Sequence, residues 1–353
     1  MGLSAGELVH AGDRADEDRR ADRGKASARL RAGRLAGRLI LLASYLLVAF
    51  AASADPLRIA TWHGDFSRKG PGLLLADLDK APPDLAPILS AGPDVLLLTD
   101  FDYDAGLVAV DKLRALLAGQ GLEYPHVLAA RPNTGMPTGL DIDGDGRRGG
   151  PRDAQGFGWF SGQGGLVVLS RYPLHLEADH SALLWKDAPD SAIAPDDPAL
   201  AVQRLSSAAH WAVTVQAPDA PLTLLTLAAT PPVFDGPEDR NGRRNRDEVL
   251  LWAHVLDGAL GAVPEGPVVL LGNLNLDPDR GEGLREAAAR VLAHPRLQDP
   301  LPGAATVQWD STGPMRTSYV LPDRALTVIG AGVIPPAPET GRHGLVWVDL
   351  RPG

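Results

Sequence analysis

Three apolar runs in this chain stop abruptly at side chains that could do chemistry. "GPVVLLGNLNLDP" passes into Asn273, Asn275 and Asp277, "GPDVLLLTDFDYD" into Asp100, Asp102 and Asp104, and "PLRIATWH" ends at His63. Strands ending together at one edge of a two-sheet core aim such groups at a shared crevice, and hard cations such as Mg2+ or Ca2+ take oxygen ligands of this kind. Side chains alternate along a strand, so the three Asp residues cannot all face one way, and Asp102 and Asp104 read most simply as solvating a loop. Elsewhere, "DIDGDGRRGGPRD" spaces Asp141, Asp143, Asp145 and Gly146 like the opening of a calcium loop. Its twelfth position is Arg152 instead of Glu, and Asp153 falls one residue late. Both a bound Mg2+ or Ca2+ and a plain Asp/Gly turn in a surface insertion satisfy that pattern. The run "EDRNGRRNRDE" offers Arg240, Arg243 and Arg244 as phosphate contacts, against the simpler reading of a solvated approach to a helix. Within the Gly-rich insertion, Phe157 and Trp159 either pin the loop or touch a ligand.

Other chemistries lack their residues. The chain has no cysteine, which removes disulfides, thiolate metal sites and cysteine nucleophiles. No G-x-S-x-G elbow, H-E-x-x-H helix, Walker A loop or dinucleotide glycine fingerprint occurs.

The elements that position these groups follow from periodicity. Besides the three runs above, strands are expected in "GGLVVLS", "HWAVTVQA", "LTLLTLAA", "TSYVLP", "ALTVIGAGV" and "GLVWVDL". A helix suits "LAPILSAG" with the residues before it, another suits "LVAVDKLRALLAGQG" with Gly119 or Gly121 as its stop, and a long one covers "RRNRDEVLLWAHVLDGAL". "KDAPDSAIAPDDPA" reads as a loop. Several adjacent strands with few helices between them point to an α/β protein with two packed sheets. With 353 residues, 39 Gly and 31 Pro, the composition suits many short elements joined by turns. No repeat of solenoid period is present.

Taken in order, "LRIATWHGDFSR", "PDVLLLTDFDYD", "NTGMPTGLDIDGDGRRGGPRDAQGFG", "GQGGLVVLSRYPL", "TPPVFDGPEDRNGRRN", "GNLNLDP" and "GRHGLVWVDL" resemble the endonuclease/exonuclease/phosphatase superfamily, and more narrowly a bacterial exported subgroup of it. The resemblance runs from about Leu57 to Leu350. It implies a DNase I-like four-layer α-β-β-α sandwich with two central mixed sheets, and metal-assisted hydrolysis of phosphate esters. It also implies roles for single residues. Asp100 stands where the family keeps its Glu ligand for Mg2+. Asn275 corresponds to a phosphate-positioning amide, and His343 to the family's final His. Four positions depart from the pattern: His63 replaces an Asn, Ala228 a phosphate-facing His, Asn273 the water-activating Asp, and Ser318 an acid. An amide is no substitute for a carboxylate base, whose contribution is on the order of 10²- to 10⁴-fold. His63 then serves as a substitute ligand or base. The expected function is a metal-dependent phosphoester hydrolase with a degenerate site, using Mg2+ or Ca2+, and the alternative is a non-catalytic module that binds a phosphate ligand or a partner.

Residues 1–54 carry a different signal. Arg38, an apolar run from Leu39 to Phe50 and Ala52-Ser53-Ala54 have the layout of a secretory signal peptide. Cleavage after Ala54 gives a periplasmic or secreted domain over 55–353, and retention gives a membrane tether through 39–53. Met1 to Ala54 holds 9 of the 34 basic and 6 of the 44 acidic residues, so the remainder carries a formal charge of −13. That balance disfavours long nucleic acid, whose binding depends on neutralising phosphates, and favours a small phosphate ester or a phospholipid-like ligand.

Overall fold

A computed structural model describes residues 56–338 and 340–352. The expectations for residues 1–54 lie outside the described residues. No helix among the described residues is long and apolar enough to cross a membrane.

Thirteen strands and five α-helices follow one another along the described chain: β1 (Leu57–Phe66), α1 (Leu73–Lys80), α2 (Ala86–Ala91), β2 (Val95–Phe101), α3 (Val108–Ala118), β3 (His126–Ala129), β4 (Gly165–Ser170), β5 (Leu174–Asp179), β6 (His210–Val215), β7 (Leu222–Ala228), α4 (Arg240–Leu256), β8 (Val268–Asn273), α5 (Glu286–Leu292), β9 (Val307–Trp309), β10 (Gly313–Met315), β11 (Ser318–Pro322), β12 (Leu326–Ile334) and β13 (Leu345–Pro352). One mixed sheet has the order β12-β13-β1-β2-β4-β3, and the other β11-β8-β7-β6-β5. In each, the single parallel pair is central: β1 with β2, and β7 with β8.

Alternation along the strands explains the layering. Ile59, Val95, Leu97, Leu224, Val269, Leu271 and Val348 meet in one buried cluster between the sheets. Their neighbours point outward: Ala60, Trp62, Leu96 and Leu98 pack with residues of α1, α2 and α3, and Leu225, Leu227, Val268 and Leu270 with residues of α4 and α5. Each central strand is covered on both faces, so it reads as a continuous apolar run. The result is the four-layer α-β-β-α sandwich with two mixed sheets.

Four local expectations need correction. The stretch expected as one helix before β2 is two, α1 and α2, because Pro82 and Pro83 interrupt it. Asp102 does not solvate a loop: it is 5% exposed and accepts the N–H groups of Arg68 (2.9 Å) and Gly164 (3.1 Å). Asp104 holds the start of α3, accepting from Val108 N–H at 2.8 Å and Ala109 N–H at 3.0 Å. The "EDRNGRRNRDE" run is a solvated approach only at its start, exposed Glu238 and half-buried Asp239, since Arg244, Asn245, Asp247 and Glu248 are all buried in α4.

Candidate functional site

β1 lies against β8 and β11 across the interface between the sheets, so the polar ends of β1, β2 and β8 belong to one region. His63 and Thr99 are register partners on β1 and β2, and His63 Nδ1 bonds Thr99 Oγ1 at 2.9 Å. His63 Nε2 stands 4.0 Å from Asp100 Oδ2. The His63 and His343 rings are 4.4 Å apart between centroids, and Trp309 closes on His343 edge-on at 5.3 Å. Trp62 Nε1 donates to the His343 carbonyl (3.0 Å) and fixes the segment entering β13. Asp100, His63 and His343 are thus brought together.

Thr306 ties this group to the end of β8 through its carbonyl and its hydroxyl. Gly344 N–H bonds the Thr306 carbonyl, and Thr306 Oγ1 accepts the N–H groups of Thr317 (2.9 Å) and Ser318 (3.0 Å). Ser318 in turn is the register partner of Asn273, as is Ala228 on the other side. Asn273 is fully buried. Its Oδ1 accepts Asn275 N–H and its Nδ2 donates to Asn275 Oδ1, both at 3.1 Å. Such an Asx turn lets Asn275 adopt φ 50°. Asn275 Nδ2 donates one hydrogen to the Ala229 carbonyl at 2.7 Å, and its second has no acceptor among the described residues. Asp277, 6% exposed, accepts from the N–H groups of Asp279, Arg280 and Arg316. Within "GNLNLDP", Asn273 and Asp277 therefore shape the turn, and Asn275 has a donor to spare.

Electrostatics set the protonation states. Burial lowers His63 to about 4. Its side chain keeps 24% of its surface, which moderates the shift without changing its neutral state at pH 7. Burial, then the neighbouring His63, lower His343 to about 2, and its Nδ1 is buried without a hydrogen-bond partner. Asp100 moves the other way, to about 7, through burial and then the charges of Asp102 and Asp65, opposed by a Ser67 hydrogen bond. At 37% exposure solvent screens part of that rise. Its backbone sits at φ 68°, and its carboxylate comes so near Gly164 that a Cβ there would stand 2.6 Å from Oδ1.

A divalent cation fits this arrangement in charge, since Asp100 and Asp102 crowd together while the guanidinium of Arg68 is ion-paired with Asp77 and Asp65. The donor set is mixed, with a carboxylate from Asp100 and an imidazole nitrogen from His63, and imidazole suits Zn2+ better than Mg2+ or Ca2+. Asp141, Asp143 and Asp145 form a second, all-oxygen group with ligand atoms within 4.8 Å of one another, and it could hold a hard cation. Asp141 Oδ1 is buried and unpartnered, while Oδ2 accepts Gly146 N–H. Asp153 is spent inside the loop on the N–H groups of Ile142 and Gly150. The acidic group and Asp100 share no hydrogen bond or ion pair among the described residues.

Beside this edge, the insertion and the β7–α4 connection enclose a pocket of about 800 Å³. Thr230, in its wall, follows the Ala229 whose carbonyl Asn275 holds. Arg240 and Arg244 line it, whereas Arg243 turns back, its Nε donating to the Asp239 carbonyl at 3.3 Å. Phe157 and Trp159 are more than half exposed, with rings 6.3 Å apart. Sequence reasoning missed Thr99, Thr306, Trp309 and Phe234. Nothing local distinguishes them, and only strand register and the return of β13 bring the first three to the histidines.

An α-β-β-α sandwich with strand-end histidine, carboxylate and amide groups gathered in one region defines the class. Over residues 64–343 the chain matches the model of the Endonuclease/Exonuclease/phosphatase family, and it belongs to that family. Among solved structures, it is similar to an endonuclease/exonuclease/phosphatase from Beutenbergia cavernae, at 20% identity and TM-score 0.56, covering 85% of this chain and 72% of that one. It is also similar to a family protein from Leptotrichia buccalis (14% identity, TM-score 0.49, 84% and 99% covered). A third is an AP endonuclease from Archaeoglobus fulgidus (13%, 0.49, 83% and 98%). No curated protein matches in sequence.

Proposed function

We propose that the chain binds a small phosphate ester beside Asn275 and hydrolyses it with a divalent cation held by Asp100 and His63. The observation that carries this reading is the approach of Asp100, His63 and His343 to one another, tied to the β8 end through Thr306. When bound, the cation supplies charge neutralisation for the phosphoryl oxygens and a more acidic water. The protein's own groups do the rest. The free Nδ2 hydrogen of Asn275 donates to a phosphoryl oxygen. His343, neutral and largely buried, offers one ring nitrogen as donor or acceptor and brings no charge. His63, with Nδ1 on Thr99 and Nε2 toward the cation, is not free to serve as base, so turnover is slow compared with a site that keeps a carboxylate base at 273. The strongly acidic exported part favours a small or phospholipid-like ester over long nucleic acid. Export to the periplasm or beyond, by cleavage after Ala54 or with 39–53 as a tether, belongs to the same reading.

One observation favours a second reading, a module that binds phosphate esters without turning them over. Asn273, Ala228 and Ser318 are uncharged neighbours on three paired strands, and Asn273 has both ends of its amide committed. Turnover of generic phosphate esters with and without Zn2+, Mn2+ and Mg2+, in the wild type, Asp100→Asn and His343→Ala, separates the two. Metal-dependent turnover lost in both variants is the expected result. Equal turnover in all three proteins would sink the site, and binding by calorimetry without turnover would select the second reading.

A further inference from the structure

The pocket beside Asn275 contains a cation that the fold alone does not require to face open space. Arg244 is 4% exposed. Its Nε donates to the Leu205 carbonyl and its Nη2 to the carbonyls of Gln155 and Arg204, which leaves Nη1 with no acceptor among the described residues. No carboxylate among the described residues forms an ion pair with it. The nearest acid, Glu248, spends its oxygens on Ser207 and on the N–H of Thr230. Arg240, one turn earlier in α4, differs in charge: it is ion-paired with Asp197 at 2.7 Å and bonded to Gln203, and only its Nη1 has no acceptor among the described residues. Arg152, exposed, stands in the wall contributed by the insertion. Three acids, Asp143, Asp235 and Glu238, also line the pocket, and backbone N–H groups hold two of them in place without removing their charge. Asp235 accepts the N–H of Asn241, and Glu238 that of Gly236.

A buried guanidinium costs desolvation unless its donors and its charge are matched. Here the donors are matched on one side only, and the unmatched side lines a cavity large enough for a small organic molecule. The pocket wall is held to the β8 end, because Asn245 Nδ2 bonds both the Thr230 and the Leu274 carbonyls (2.7 and 2.8 Å). We infer that this pocket is an anion subsite, and that the substrate is a phosphate ester carrying a second acidic group, which Arg244, Arg240 and Arg152 receive while the ester phosphate lies at Asn275. The inference rests on the phosphate-ester reading of the neighbouring edge. Apolar walls from Ile142, Val233 and Phe234 suit a hydrocarbon segment between the two charges.

Calorimetric binding of ω-carboxyalkyl phosphates of graded chain length, compared with plain alkyl phosphates of the same lengths, tests it on the full chain. At a matching length the carboxylate should tighten binding at least tenfold, and Arg152→Gln and Arg244→Lys should each remove most of that gain without weakening the plain alkyl phosphates. Arg152 is exposed, so its variant folds even if Arg244→Lys does not. Equal affinity for the two series at every length overturns the subsite and leaves the phosphate-ester reading standing. Failure of both series to bind overturns that reading and the subsite with it.

Discussion

Replacing Asn273 by Asp restores the acid that the family resemblance expects, and the local geometry sets what that costs. Asn273 is fully buried, with Oδ1 on Asn275 N–H and Nδ2 on Asn275 Oδ1. An aspartate keeps the first bond and turns the second into two acceptors about 3.1 Å apart. Flipping the Asn275 amide does not help, because its Nδ2 would then leave the Ala229 carbonyl that it now bonds at 2.7 Å. One hydrogen bond is lost and a charge enters a dry site, at a cost of about 3 kcal/mol. The sign with pH follows. The folded carboxyl titrates above its unfolded value of about 3.9, so the deficit is absent below that value and grows as pH rises toward the folded one. Urea denaturation of Asn273→Asp and wild type in chelator should therefore show near-equal stability at about pH 4 and a gap of about 3 kcal/mol at pH 7.5. If the new carboxylate joins a cation site, a divalent ion at a hundredfold excess over its Kd recovers about 2.7 kcal/mol. A variant as stable as wild type at pH 7.5 in chelator would refute the buried Asx turn.

Two further outcomes rest on other parts of the fold. His210 is fully buried, bonded to Ser206 and to the Glu248 carbonyl, and burial lowers it to about 3. The unfolded ring takes up a proton below about 6.5 while the folded one resists, so this residue costs about 2 kcal/mol between pH 8 and pH 5. The stability difference between wild type and His210→Gln should shrink accordingly as pH falls, and a constant difference would contradict the neutral buried ring. Gly272 precedes the β8 end at φ 139°, where a Cβ would meet the Leu227 carbonyl oxygen at 1.9 Å. Gly272→Ala should cost at least about 3 kcal/mol, and a Tm within a few degrees of wild type would argue against that strand approach.

The layers were legible because the central strands are covered on both faces and read as unbroken apolar runs. β5 was not, since "LHLEAD" is an edge strand whose side chains are mostly exposed, and neither β3 nor the seven-residue α5 carries enough periodicity to stand out. The strand-end candidates His63, Asp100 and Asn275 were visible from the residues and the family order. Their partners were not. Asp102 is buried by Gly164 and Arg68, and Arg244 by carbonyls at 155, 204 and 205, so both depend on tertiary contacts that no local pattern encodes. For the same reason the eight charged residues of "EDRNGRRNRDE" looked solvated. Its buried charges are met by carbonyls of distant loops at Arg244 and by side-chain partners at Arg240, Arg246 and Asp247.

The pairing of β8 with β11 gives a physical reason for neutral residues at the edge. Asn273 and Ser318 are direct cross-strand partners, and both are almost fully buried. Two acids at these positions would face each other in a poorly solvated interface, where like charges repel strongly and one would stay protonated unless a cation lay between them. An amide and a hydroxyl remove that repulsion, at the lesser cost of leaving Ser318 Oγ without a partner. The negative charge that remains is displaced to the β2 end, where Asp100, Asp102 and Asp65 crowd together. On the proposed reading, a cation is drawn to Asp100 and His63, and the β8 end contributes a hydrogen-bond donor instead of a charge. The fold gains stability without metal, and the chemistry loses its base. Both consequences come from one exchange, which is why Asn273→Asp should move stability and turnover in opposite directions.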